Sequence, residues 1–554
     1  MTTGESGREG RERPVRGARS DRTYFLVVVG LAFVFLAIVG YPRQWSLGLL
    51  INDEFWYAHL ARNLYEGMGY VSNVMYPVQA PQYETFPVPE AMKQSGFSLL
   101  SAAIWQITGI SVRAMLVVAA AGLSLFSGLS FLLARQLGWG RPASLAVAAA
   151  VIVNPVVAQY GVQALPEALY FSLFVLVVWL LLRGGTADIL LAAVAHAVLI
   201  IIKGHGIIYI PVLLAYLWLR GAQDLRRGLR PDARKARTAA TYIAVLFATL
   251  MVANLALPTG SVALFQSGGT YSYAFLSETG RAISALPYLD VEPTDVAGYI
   301  LDHPAEYLEK VARQIRRTKI FVDDLGAPAL SGVLFPLLSL SLVLLLVDAL
   351  APGVLLPTTP ESRREREPYL LFAVIIAATF AFFWSIYVVT RFVTHPLPLM
   401  LLLTMYVLHR LAPLAQGVSA RLRTFLVAAA ALYFLAYPAA VTVWGSYRYP
   451  MEHIGSQLAV RFLDYARMAD NVRGHLPDDP VLVSDMAHEI TWFTGARTIL
   501  FPNSESDLKY LVDRYDVDAL YEHPLFPRDW PWIRDEFILV DDADGKLWVR
   551  RRDQ

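Results

Sequence analysis

The chain has 554 residues, of which 56% are hydrophobic and only 17% charged, whereas a typical soluble domain carries about 25% charged residues. A formal net charge of +1 gives no electrostatic case for a nucleic acid or an acidic partner. The sequence has no cysteine, which excludes disulfides, thiolate metal sites and cysteine nucleophiles.

In chain order, residues 1–22 are rich in Arg, Gly and Ser and are expected to form a disordered basic tail. Apolar runs of near-spanning length follow at 23–42, 112–134, 142–159, 166–183, 187–203, 206–220, 238–257, 330–351, 369–389, 393–411 and 424–444. A helix needs about 20 apolar residues to cross the hydrocarbon core, so these predict about eleven membrane helices. The basic clusters supply a parity check. They are the N-terminal arginines, Arg135 with Arg141, the run from Arg220 to Arg237, Arg363 to Arg366, and Arg410 to Arg423. With eleven spans all of them fall on one side, which the positive-inside rule makes cytoplasmic. A full span at 96–108 would invert every later loop, so that segment is expected to be re-entrant or interfacial. The fold class is thus a mainly α, polytopic membrane bundle over 23–445, at a plasma membrane with its N-terminus in the cytoplasm.

Segments 43–111 and 258–329 become external loops, and 446–554 an extracytoplasmic domain. In that tail a helix is predicted at 456–474 and strands at 480–484 and 498–501. A second helix follows at 505–515, a strand at 518–521 and a hairpin across 536–550. This is a small α/β unit.

The residues with chemistry to offer lie at the ends of these spans. Asp53 and Glu54 open the first external loop, and neighbouring residues on a helix point in different directions. Asp53 can act on a substrate, or it can cap a helix from about 54 to 66. On that helix Trp56, Tyr57, Leu60 and Leu64 form a face suited to the membrane interface. Glu167 starts the fourth span, as a carboxylate favoured by the helix dipole or as a second acid in the same cavity. Lys203 ends an apolar helix and precedes Gly204, His205 and Gly206. A lysine at that depth must snorkel or meet an anion. Arg391 lies on the outer side against the general charge bias and suits a phosphate or carboxylate. His395 follows it, either as a donor or as a structural residue. Glu84, Glu90, Lys93 and Gln94 stand in the first loop where they could line the same space. There is no HExxH, Walker A, GxSxG or dinucleotide-binding sequence, which argues against the usual peptidases, ATPases and nucleotide enzymes.

Set in order along the chain, these motifs resemble the GT-C superfamily of membrane glycosyltransferases. The branch is that of protein O-mannosyltransferases and lipid A aminoarabinose transferases. The resemblance rests on Asp53–Ala58 with the helix running to Tyr70, on Gln94–Leu99, and on Leu165–Tyr170. It continues with Lys203-Gly204, His303–Leu308, Arg391 through Pro398, and Glu489–Arg497. The first loop lacks the Pro-Pro-Leu-Tyr-Pro run usual after the acid, and Ala496 interrupts the Thr-Gly-Arg run of the tail.

The resemblance implies a sugar donor linked to a polyprenyl phosphate and an acceptor hydroxyl on a glycan, lipid or protein. It implies Asp53 as general base, Glu54 and Glu167 as further acids of the site, and Lys203 with Arg391 as donor-phosphate ligands. Mg²⁺ or Mn²⁺ is an open possibility for the carboxylates. Loop 258–329, with Ser267–Tyr271, would cover the donor. A transporter and a non-catalytic assembly protein are the alternatives, although no repeated halves support transport.

Overall fold

The computed structural model describes residues 18–40, 45, 48–49, 51–90, 93–220, 232–256, 296–324, 334–350, 360–385, 394–411, 419, 421, 435–448, 465–522, 528, 530–542 and 545–551. In chain order α1 is Ala18–Gly40, so helix begins inside the basic tail, and α2 is Asn52–Tyr65. Three short strands, β1 (Val71–Ser72), β2 (Val74–Met75) and β3 (Val88–Pro89), form within the first loop. Then come α3 (Gly96–Thr108), α4 (Val112–Gln136), α5 (Arg141–Val153), α6 (Pro155–Gly161), α7 (Glu167–Arg183), α8 (Thr186–Ile202) and α9 (Tyr209–Leu219). Next are α10 (Ala233–Ala256), α11 (Val296–Asp302), α12 (Pro304–Asp324), α13 (Leu334–Leu350), α14 (Pro360–Ser385), α15 (Leu397–Leu411) and α16 (Tyr437–Arg448). The tail contributes α17 (Tyr465–His475), β4 (Val481–Ser484), α18 (Ala487–Thr494), β5 (Arg497–Leu500), α19 (Glu505–Tyr515), β6 (Ala519–Glu522), α20 (Pro531–Glu536), β7 (Phe537–Asp541) and β8 (Lys546–Arg550).

The protein is a multi-pass membrane protein with α4 at the centre of its helical part. This helix packs on α1, α5, α6 and α7; α7 carries α8, and α8 carries α10. Among the described residues four helices are long and apolar enough to cross a membrane: Ser20–Gly40, Val112–Gln136, Ala233–Leu255 and Glu365–Ser385. A bent pair, α5 with α6, passes the same length and composition test only when its two helices are taken together. The outward faces of α1 and α10 stay apolar, with Leu26, Leu31, Met251 and Leu255 all exposed. Such faces suit the hydrocarbon core of a membrane.

The run at 142–159 is not one straight span. Pro155 has no N–H to continue the helix, and Asn154 Oδ1 accepts the amides of Val156 and Val157 at 3.1 and 3.2 Å. A new helix therefore starts there, bent by 71° from the one before. Segment 96–108 is helical, but its 13 residues rise only about 20 Å. It packs on α2, α4 and α8. The hydropathy run at 424–444 and the Ser267–Tyr271 stretch fall wholly or partly outside the described residues.

Tail and first loop share one sheet, ordered β2-β5-β4-β6-β8-β7. The first four strands run parallel, and β8 and β7 close the sheet antiparallel. Val481, Val483, Ile499 and Leu520 build its core with Met75, Ala80 and Val88 of the first loop. The Tyr515 hydroxyl ties the loop down, lying between the carbonyl oxygens of Ala80 and Tyr83 at 2.8 and 2.6 Å and donating its one proton to this pair.

Candidate functional site

The sequence-level reading of α2 needs two corrections. The helix starts at Asn52 after an extended Ile51, and it is Glu54, not Asp53, that braces the start. Glu54 is fully buried; its Oε2 accepts the Ile51 amide at 3.1 Å and its Oε1 accepts the Ala164 amide at 2.7 Å. Its carboxylate thereby fastens the first loop to the turn before α7. Asp53, relieved of capping, points elsewhere. The face of Trp56 and Leu60 also does not lie on lipid. It is buried under Tyr70, Tyr76 and Val78 of the same loop, because the tail domain presses that loop onto the helix.

Asp53 Oδ1 accepts from Lys93 Nζ at 2.8 Å, with Asp53 about a quarter exposed. Lys93 is placed from three sides. Glu90 Oε1 accepts its amide at 3.0 Å, and Glu90 Oε2 accepts Trp56 Nε1 at 2.8 Å. The ammonium lies 4.3 Å from the centre of the Trp56 ring, a cation–π distance.

A second lysine–carboxylate pair stands at the end of α8. Lys203 Nζ donates to Glu167 Oε1 at 2.6 Å, and both residues are buried. The 3-10 turn Gly204–Ile208 after Lys203 is held by His196, whose Nε2 is 2.8 Å from the Gly206 carbonyl oxygen. The Tyr242 hydroxyl meets His196 Nδ1 at 2.6 Å. Two glycines let the first loop and the end of α8 approach closely. A methyl group on Gly204 would stand 3.1 Å from Gln94 Nε2, and one on Gly96 would stand 2.9 Å from the Ile201 carbonyl oxygen. Residues 93–96, next to Asp53, thus lie directly on the end of α8 that carries Lys203.

Other candidates fall differently. His205 is buried against Phe382 and Phe383. His395 bonds the Tyr209 hydroxyl and packs on Tyr170 and Phe174, a structural setting within the helices. Glu84 is exposed in a loop beside Arg514 and Tyr515 of the tail domain rather than in the buried cluster around Asp53. Arg391 lies outside the described residues. Among the described residues no three His, Cys, Asp or Glu side chains come close enough together to hold a metal ion. Asp53 and Glu167 each face an ammonium through one carboxylate oxygen.

Sequence reasoning missed what the tail brings. Helix α18 lies on α2, and Arg62 of α2 donates to the Trp492 carbonyl at 2.9 Å while stacking 3.9 Å over the Trp492 ring. Four buried side chains form a chain through this contact. Tyr76 OH meets His488 Nε2 at 2.7 Å, His488 Nδ1 faces His59 Nδ1 at 3.5 Å, and His59 Nε2 meets Ser72 Oγ at 3.0 Å. Burial keeps both imidazoles neutral, pushing His59 down to about 3 and His488 well below its ordinary value. Glu489 is buried beside them and accepts Asn52 Nδ2 at 3.5 Å. Burial pushes its carboxyl up to about 7, and the charge of Asp53 adds to the effect.

Comparison with solved structures matches the fold over nearly the whole chain. ArnT from Cupriavidus metallidurans bound to undecaprenyl phosphate superimposes with a TM-score of 0.53 at 15% identity, covering 96% of this chain and 98% of that one. The Archaeoglobus fulgidus oligosaccharyltransferase, tethered to an acceptor peptide containing the NVT sequon, gives 0.54 at 13% identity over 96% of this chain and 74% of that one. The fold is GT-C. Apo ArnT matches as well, with a TM-score of 0.50 at 14% identity over 96% and 98% of the two chains. No protein-family model and no curated protein matches the sequence. At such identities the GT-C fold is what is shared, and the chemistry has to be argued from the side chains of this chain.

Proposed function

We propose that the protein is a membrane glycosyltransferase that moves a sugar from a polyprenyl-phosphate donor to an acceptor hydroxyl on the extracytoplasmic side. The observation that carries this reading is a partly exposed carboxylate, Asp53, fixed beside Lys93 in a loop whose Gln94 and Gly96 pack against Gly204 and Ile201 on either side of Lys203, in a GT-C fold. One solved relative of that fold is bound to undecaprenyl phosphate. The orientation follows the basic clusters, and eleven spans remain the expected count.

Asp53 acts as general base: it takes the proton of the acceptor hydroxyl as that oxygen attacks the anomeric carbon. The bond from that carbon to the phosphate oxygen breaks, and its electron pair leaves with the polyprenyl phosphate. Attack opposite the leaving group inverts the carbon. The charge that builds on the phosphate needs fixed cations. Lys93 and Lys203 supply them, with Arg391 assigned to the same role by its sequence context. Glu54 and Glu167 serve by holding the loop and Lys203, not by touching substrate. No step runs through a metal.

The test is Asp53→Asn, isosteric and unable to take the proton. With polyprenyl phosphates carrying hexoses or pentoses as donors, turnover is expected to fall about 10²–10⁴-fold while donor binding persists. Turnover undiminished in this variant would remove Asp53 as base. Movement of an unmodified solute through vesicles containing the protein would favour the transport alternative.

A further inference from the structure

We infer that Glu489, from the tail domain, is a positioning residue of the Asp53 site, so that the catalytic loop is complete only with the tail docked upon it. The inference rests on the proposed sugar transfer and deepens it. The carboxylate of Glu489 meets Asn52, the residue immediately before Asp53, at the start of α2. Glu489 is 3% exposed, on a helix where Thr491 bonds Thr498 within the tail while His488, like Glu489, reaches out to the first loop. Leaving a carboxyl so deeply buried is costly unless it is bonded, and its bond runs across to the first loop.

The tail is held in a fixed place for this task. Strand β2 of the first loop joins β5 in register, with Val74 opposite Thr498 and Met75 opposite Ile499. Arg62 clamps Trp492 about two and a half turns of α2 beyond Asp53. His488, adjacent to Glu489, stacks on Trp56 with ring centres 4.4 Å apart. Trp56 also receives the Lys93 ammonium on its ring and bonds Glu90. The tail therefore reaches both members of the Asp53–Lys93 pair: the acid through Asn52, and the lysine through Trp56. With β4 leading directly into α18, Glu489 stands just beyond the carboxyl end of a parallel strand, where open α/β sheets commonly present functional groups.

Glu489 does not act on the reacting atoms itself. It fixes the direction in which the Asn52–Asp53 peptide presents the base, and misplacement of about 1 Å can cost about 10²-fold in rate. Two variants of the full-length protein separate this role from general packing. Glu489→Gln keeps an amide oxygen for Asn52, whereas Glu489→Ala does not. With the donor panel named above, Glu489→Ala is expected to lower kcat at least about tenfold with the donor KM unchanged, and Glu489→Gln to restore most of it. Amide hydrogen exchange is followed in parallel at residues 52–55. It is expected to rise in Glu489→Ala and stay as in the unaltered protein in Glu489→Gln. Equal exchange in all three proteins, or equal kcat in the two variants, would overturn the assignment. Absence of transfer in the unaltered protein, with the exchange difference intact, would count against sugar transfer alone and leave the contact standing.

Discussion

At the scale of single residues, the site is built from two lysine–carboxylate pairs with different duties. Asp53–Lys93 is partly exposed and Lys203–Glu167 is buried. Breaking a buried pair strands a charge at a cost of about 3–5 kcal/mol, more than the pair contributes while intact. Lys203→Ala alone should therefore lower thermal stability as well as donor affinity. The double variant Lys203→Met with Glu167→Leu should recover stability but not donor binding, as read by unfolding temperature and by binding of polyprenyl phosphate. Recovery of both would remove Lys203 from the phosphate site. Glu489 gives a pH dependence of opposite sign to that of most acids. Its carboxyl is raised from 4.5 to about 7 in the folded protein, so the folded state holds the extra proton between those values. Stability is then expected to decline as pH rises from about 4.5 to about 7 and to level off above. Glu489→Gln should flatten that decline in a pH series of unfolding temperatures.

At the scale of elements, the first loop shows what the sequence could and could not convey. Asp53, Glu167 and Lys203 stand out because charge beside an apolar span is expensive and has to be explained. Which acid braces α2 was not legible, since Asp53 and Glu54 are adjacent and only the position of the Ile51 and Ala164 amides decides between them. Lys93 was visible as a candidate, but its pairing across 40 residues was not. His488 escaped notice, and Glu489 stood only as the start of a family-like stretch with no role, because both gain meaning only through partners more than 400 residues away. The contact between residues 93–96 and the end of α8 depends on the small size of Gly96. Gly96→Ala places a methyl 2.9 Å from a backbone oxygen that has little room to move. Overpacking of this kind typically costs about 1–3 kcal/mol, and it should loosen both lysine pairs together, measured as lost stability and weaker donor binding in the same variant.

For the whole molecule, hydropathy gave the helical bundle and strand patterns gave most of the tail sheet. Neither could show that β2 of the first loop enters that sheet, because a two-residue strand has no periodicity to detect. That one pairing turns the tail from an appendage into the outer wall of the site, with Met75 and Val88 inside its core. Truncation after residue 448 should accordingly leave the helices in the membrane but free the first loop, exposing Trp56 and Tyr76 to added quencher. Unchanged tryptophan quenching in the truncated protein would mean the loop holds itself. The most direct measurement of the central claim is a structure with a polyprenyl phosphate bound. The phosphate is expected in ion-pair contact with Lys93 or Lys203, on the same membrane face as Asp53, with the Asp53 carboxylate open to an incoming hydroxyl. A phosphate bound at the opposite face, or one held away from both lysines, would contradict it.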